Sequence, residues 1–141
     1  MSASAPVTPT SSFADVIAGF AAVGIGAAIG AWLRWGLSIW LNERAPLFPL
    51  GTLAANLIGG YLVGFAVAYF AANAQVAPEW RLFAITGMLG GLTTFSTFSA
   101  EVTQLLLRGD YTNGIVLALA HLAGSLLLTI AGLATFRLLS A

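Results

Sequence analysis

The chain has no cysteine and very little charge: of its 141 residues, five are acidic, five are basic and one is histidine. Without cysteine there is no disulfide and no thiolate metal site. Charged residues make up 7% of the chain, against about 25% in an ordinary soluble domain. That shortfall excludes a solvated globular fold. The formal net charge of zero argues against nucleic acid as a partner. Hydrocarbon stands in place of charge, with 59% of residues hydrophobic. The composition is that of an integral membrane protein with room for about four spans of roughly 20 residues each. Little chain is left for a soluble domain, so function has to lie within the spans.

The opening residues MSASAPVTPTSS are rich in Ser, Thr, Pro and Ala and lack the basic segment of a signal peptide. Residues 1–13 are expected to be a flexible tail, and residues 14–141 the membrane domain. Charges and turn residues divide that domain into four apolar blocks, 16–40, 51–72, 82–107 and 114–138. Short polar connections separate them, with Pro46 and Pro49 in the first, Pro78 in the second and Gly109-Asp110 in the third. The expected fold is an all-α membrane protein with four transmembrane helices and both termini on one side. Small residues recur at close-packing spacing: Gly26 and Gly30, Gly60 and Gly64, Gly87 and Gly91, Ala120 and Gly124. One such pair in every span favours a tight bundle.

Basic residues in loops normally set orientation. Here Arg81 and Arg137 lie on one side, and Arg44 and Arg108 on the other with Arg34 near them. Either a partner imposes the orientation or the chain inserts both ways. Insertion both ways makes an antiparallel homodimer possible, with its two-fold axis in the membrane plane.

Polar side chains inside lipid are costly and mark interiors or pathways. Asn56 shares a helical face with Gly60 and Gly64. It could donate to an anion or simply tie two helices together. His121, Ser125 and Thr129 form a stripe at spacing four, which favours a pathway over scattered packing contacts. Arg34 could draw anions to a vestibule; beside Trp32, Trp35 and Trp40 the residues alone favour snorkelling to head groups. Glu101, inside the third block, is either a functional group or a carboxylate bonded to a hydroxyl such as Thr97.

The segment GMLGGLTTFSTFSAE, residues 87–101, concentrates glycines, hydroxyls and two phenylalanines in hydrocarbon. Gly90-Gly91 followed by Thr93-Thr94 is poor helix chemistry, so the third helix is expected to break there. A break in a membrane survives only when it is buried in protein or lines a cavity. Freed carbonyls suit a cation, and freed N–H groups and hydroxyls suit an anion. Phe95 and Phe98, three residues apart, can present positive ring edges beside those hydroxyls.

The string GGLTTFSTFSAE resembles the signature of the Fluc (CrcB) family of fluoride channels. GAAIGAWLRW is similar to that family's first-helix pattern, and GTLAANLIGGYLVG to its second. The rungs His121, Ser125 and Thr129 resemble its fourth-helix track, so the likeness extends from Val16 to Leu138. The resemblance implies a channel rather than an enzyme: an antiparallel, dual-topology homodimer in the bacterial cytoplasmic (inner) membrane, with two fluoride pores. It implies a structural sodium ion (Na+) at the dimer centre, held by carbonyls of Gly90 and Thr93. It places Asn56, Phe95 and Phe98 in the pore, with Thr94, Ser96 and Thr97 in the hydroxyl-rich segment, Ser96 and Thr97 being favoured for the pore lining. Glu101 and Arg34 match family residues near the pathway. The implied role is passive export of cytoplasmic fluoride, with fluoride, sodium, the lipid bilayer and a second copy of the chain as partners.

The main competing reading is a small proton-coupled exporter of hydrophobic cations, also a four-helix dual-topology dimer. It needs a mid-membrane acid in the first span, where Asp15 stands only at the very start. A non-transporting assembly subunit would explain the glycine pairs, but neither the polar stripe nor the break.

Overall fold

A computed structural model of the chain describes residues 12–43 and 48–141. Most of the expected N-terminal tail, and Arg44, lie outside the described residues. The described residues are helical and contain no strand. Four helical spans are long and apolar enough to cross a membrane: Phe13–Asn42, Leu50–Ala72, Pro78–Leu107 and Tyr111–Leu139.

The first span starts at Phe13, earlier than the apolar pattern suggested, because of a reciprocal cap. The Ser12 backbone N–H donates to Asp15 Oδ2 at 2.8 Å, and the Asp15 N–H donates to Ser12 Oγ at 3.3 Å. Between the third and fourth spans the chain turns at Gly109, whose φ of 79° lies in the left-handed region. Gly109 N–H reaches the Leu106 carbonyl and Asp110 N–H the Leu105 carbonyl, both at 3.0 Å, closing the third span. Asp110 then caps the fourth by accepting from the Asn113 N–H.

The helices associate in two intimate pairs, first with third and second with fourth. Glycine makes both possible. A methyl group on Gly30 would collide with the Met88 carbonyl oxygen, and one on Gly91 with that of Ala27. A methyl on Gly64 would meet the Thr129 carbonyl oxygen, and one on Gly132 that of Tyr61. Backbone therefore lies directly on backbone, which is how helices gain dispersion energy in lipid. The close contact of the fourth span is made by Gly132; Gly124 meets only the Leu57 side chain.

Few large apolar side chains are buried: Leu89 and Leu92, which cluster with Ala55, and Phe98 and Leu117. Trp32, Trp35, Leu126, Leu127 and Ile130 point outward, as a surface bathed in acyl chains allows.

The third span is the irregular one. Leu82–Leu89 is π-helical, a widened turn found mostly at functional sites. After one short α-helical turn, Thr93 (φ −83°, ψ 153°) and Thr94 (φ −151°, ψ 121°) are extended. The helix resumes over Phe95–Leu107. The break expected from Gly90-Gly91 and the two threonines is present at those threonines.

Candidate functional site

Two extended residues inside a helix release backbone groups that must find other partners. Thr94 N–H, which in an unbroken helix would bond Gly90, donates instead to Asn56 Oδ1 at 2.7 Å. Asn56 Nδ2 donates to the Thr94 carbonyl at 2.9 Å. One amide side chain of the second span thus grips both backbone groups of one residue in the break. Thr97 N–H donates to Thr94 Oγ1 at 3.2 Å, so Thr94 caps the resumed helix. The Gly91 carbonyl, which has lost its helical donor, accepts from Arg34 Nε at 3.1 Å. The carbonyls of Gly90 and Thr93 lose their helical donors too, because Thr94 N–H and Thr97 N–H point elsewhere.

Beside the break, between the second span, the resumed third helix and the fourth span, runs an open groove of about 370 Å³. Asn56, Thr93, Thr94, Phe95, Phe98, His121, Ser125 and Thr129 line it, so most of the residues singled out in the sequence meet on one wall-to-wall feature. No Arg, Lys, Asp or Glu is among its lining residues. Phe95 and Phe98 meet edge to face, with centroids 5.4 Å apart and planes at 76°. They differ in setting: Phe98 is 7% exposed and Phe95 is 74% exposed in the single chain. The His121 ring stacks on Phe98 at 4.5 Å and 28°.

The fourth-span stripe is divided in its bonding. Thr129 Oγ1 lies 2.9 Å from the Ser125 carbonyl, one turn back, and 3.1 Å from the Gly60 carbonyl of the second span. The Ser125 hydroxyl makes no hydrogen bond among the described residues. It is left available to the groove.

Other expected residues stand apart. Ser96 is exposed, with its hydroxyl 3.2 Å from Thr94 Oγ1, and Thr97 Oγ1 accepts from Thr94 Oγ1 at 3.1 Å. Ser96 and Thr97 are outside the groove lining, and their hydroxyls bond the Thr94 hydroxyl that caps the resumed helix. Glu101 does not pair with Thr97; Thr52 Oγ1 donates to its Oε1 at 2.6 Å, and Oε2 is buried without a partner. Arg34 faces the break from the first span, so its guanidinium serves a broken carbonyl where snorkelling had been favoured. Thr52 was not singled out in the sequence, although it stands at i−4 from Asn56 and extends the Asn56, Gly60, Gly64 face by one turn. Gly132 was also missed, having no partner at spacing four.

A profile of the family described as CrcB-like protein, Camphor Resistance (CrcB), matches residues 21–133. This chain belongs to the CrcB-like family. Among the relatives of this CrcB-like chain is a protein of Cupriavidus taiwanensis named Fluoride-specific ion channel FluC, 62% identical over 122 residues. A protein of the same name from Ralstonia pickettii is 60% identical over 122 residues. Each alignment covers 86% of this chain and 97% of the relative. A third of that name, from Thiobacillus denitrificans, is 60% identical over 120 residues, 85% of this chain and 97% of its own. These relatives are named as ion channels, not as enzymes.

Proposed function

We propose that the chain is the subunit of a fluoride-selective channel in the bacterial cytoplasmic membrane, through which cytoplasmic fluoride leaves passively. The observation that carries this reading is the groove at the break, where donors and ring edges gather without a cationic side chain. Fluoride is small and strongly hydrated, so its shell has to be exchanged for polar contacts along the way. The Ser125 hydroxyl and the positive edge of Phe95 are suited to that exchange, and the His121 ring stands behind them in the same lining. An uncharged lining can bind the anion without a fixed counter-charge, and conduction needs binding weak enough to leave. Asn56 lines the same wall, but its amide is spent on the break and on His121, so its contribution is to hold the donors in place. Thr94, the cap of the resumed helix, lines the groove with them, while Ser96, Thr97 and Glu101 stand on that helix outside the lining.

The functional unit in this reading is an antiparallel homodimer with two such pathways. Two features support it: the near balance of Arg residues on the two sides, and a groove that stays open with Phe95 largely uncovered in the single chain. A second copy would close it. The residues at the break also fit a central Na+. Gly90 and Thr93 have carbonyls without their helical donors, and uncharged oxygens are what a hard monovalent cation takes. Bound there, the ion would supply positive charge that ties two broken helices together.

The test is efflux of fluoride from liposomes holding the purified protein, followed with a fluoride electrode. Efflux well above that from empty vesicles is expected. Its absence, or proton-coupled uptake of an aromatic cation in its place, would overturn the channel reading in favour of silence or of an exporter.

A further inference from the structure

His121 is 3% exposed, and among the described residues its Nε2 has no hydrogen-bond partner. Its Nδ1 lies 3.0 Å from Asn56 Nδ2. Which of the ring nitrogens carries the proton follows from the neighbours. The Asn56 amide cannot be turned over, because Thr94 N–H has to meet an oxygen and the Thr94 carbonyl has to meet an N–H. Asn56 therefore presents its second amide hydrogen to His121, and Nδ1 has to accept it. The ring is neutral with its proton on Nε2, and that N–H is a buried donor with nothing among the described residues to receive it.

From this arrangement we propose that His121 is a positioning residue locked in the Nε2–H tautomer, and that a proton on Nδ1 releases the break and lowers conduction. The proposal rests on the channel reading above. A protonated ring has donors at both nitrogens. Its Nδ1–H would then face the Asn56 N–H donor at hydrogen-bond distance. The amide can satisfy the imidazolium only by rotating, and rotation strips both bonds from Thr94. The ring is held from its other sides by contacts that do not compensate: Phe98 stacks on it. On the elements packed against it, the second span carries no Asp, Glu, Lys, Arg or His, its ionisable side chains being Tyr61, which donates to Thr135 Oγ1, and Tyr69; Glu101, bonded to Thr52, is the single carboxylate of the resumed third helix. The first span's Arg34 is occupied by the Gly91 carbonyl. The other ionisable side chains of the fourth span, Tyr111 and Arg137, stand at its two ends.

The experiment compares wild type with His121→Gln and His121→Phe in liposomes, recording fluoride efflux over empty vesicles at about pH 8 and about pH 5, the range in which histidine changes charge. Gln keeps an acceptor for Asn56 and a donor beyond it but does not titrate; Phe keeps the stack on Phe98 and loses both nitrogens. Wild-type flux is expected to fall on acidification, progressively toward the lower pH, as the fraction of ring protonated on Nδ1 grows. Gln should conduct alike at both values, and Phe should be low at both. Nitrogen-15 spectra of the wild-type ring should show Nδ1 bare and Nε2 protonated at the higher pH. A proton on Nδ1 at pH 8, wild-type flux no more pH-sensitive than that of the Gln variant, or full conduction by the Phe variant would each overturn the proposal while leaving the channel reading in place. Absence of wild-type fluoride flux at pH 8 would overturn the channel reading itself, and with it the conduction half of this one.

Discussion

Replacing Asn56 with Ala removes the clamp on the break while changing nothing else that the second span buries. Three hydrogen bonds go: two to the backbone of Thr94, at 2.7 and 2.9 Å, and one to His121 at 3.0 Å. In a regular helix the freed groups would fall back on partners one turn away. Here the extended dihedrals of Thr93 and Thr94 place those partners out of reach. Leaving a buried donor unpaired costs about 1–3 kcal/mol. The Thr94 N–H bears that cost most fully, since its carbonyl can still accept from the helix that follows. Water entering the groove offsets part of the rest, so the loss should be about 2–4 kcal/mol. That is several times the ~0.6 kcal/mol average of interhelical hydrogen bonds in a membrane. The measurement is unfolding of the detergent-solubilised protein, alongside fluoride efflux, which should fall at least about tenfold because the donors on the resumed helix lose their register. Ser96→Ala is the control, since it alters an exposed hydroxyl beside the same break. An Asn56→Ala protein within about 0.6 kcal/mol of wild type and conducting normally would refute the clamp.

Phe95→Ile and Phe98→Ile should both depress fluoride flux while gel filtration still shows assembly. Only Phe98→Ile should also lower stability, by about 1–3 kcal/mol, because Phe98 is buried and Phe95 is not; unchanged flux in both would remove the rings from the pathway. Gly132→Val should prevent proper packing of the second and fourth spans, since its Cβ meets the Tyr61 carbonyl, whereas Gly24→Val has open space and should fold normally. Equal yields and equal melting of these two variants would contradict the backbone contact.

The four spans were legible because charge is scarce and most of it falls outside the apolar blocks. The break was legible as well, since Gly90-Gly91 with two β-branched threonines weakens a helix locally and needs no knowledge of neighbours. What could not be read was which side chain each freed group finds. Asn56 gripping Thr94, Arg34 reaching the Gly91 carbonyl and Thr52 meeting Glu101 join residues 38, 57 and 49 positions apart. Those pairings depend on how each helix is rotated and how deeply the glycines let it sink into its neighbour. The same holds for Gly132, whose importance comes from the Tyr61 carbonyl opposite and not from any spacing along its own helix.

In the proposed reading this CrcB-like chain conducts fluoride, and not chloride, through the uncharged groove at the break. The most direct measurement is the initial rate of anion efflux from liposomes of equal protein content, loaded with potassium fluoride or potassium chloride and followed with the matching electrode. The account predicts rapid fluoride efflux and chloride efflux no faster than from empty vesicles. Equal rates for the two ions, or no fluoride efflux at all, would contradict it.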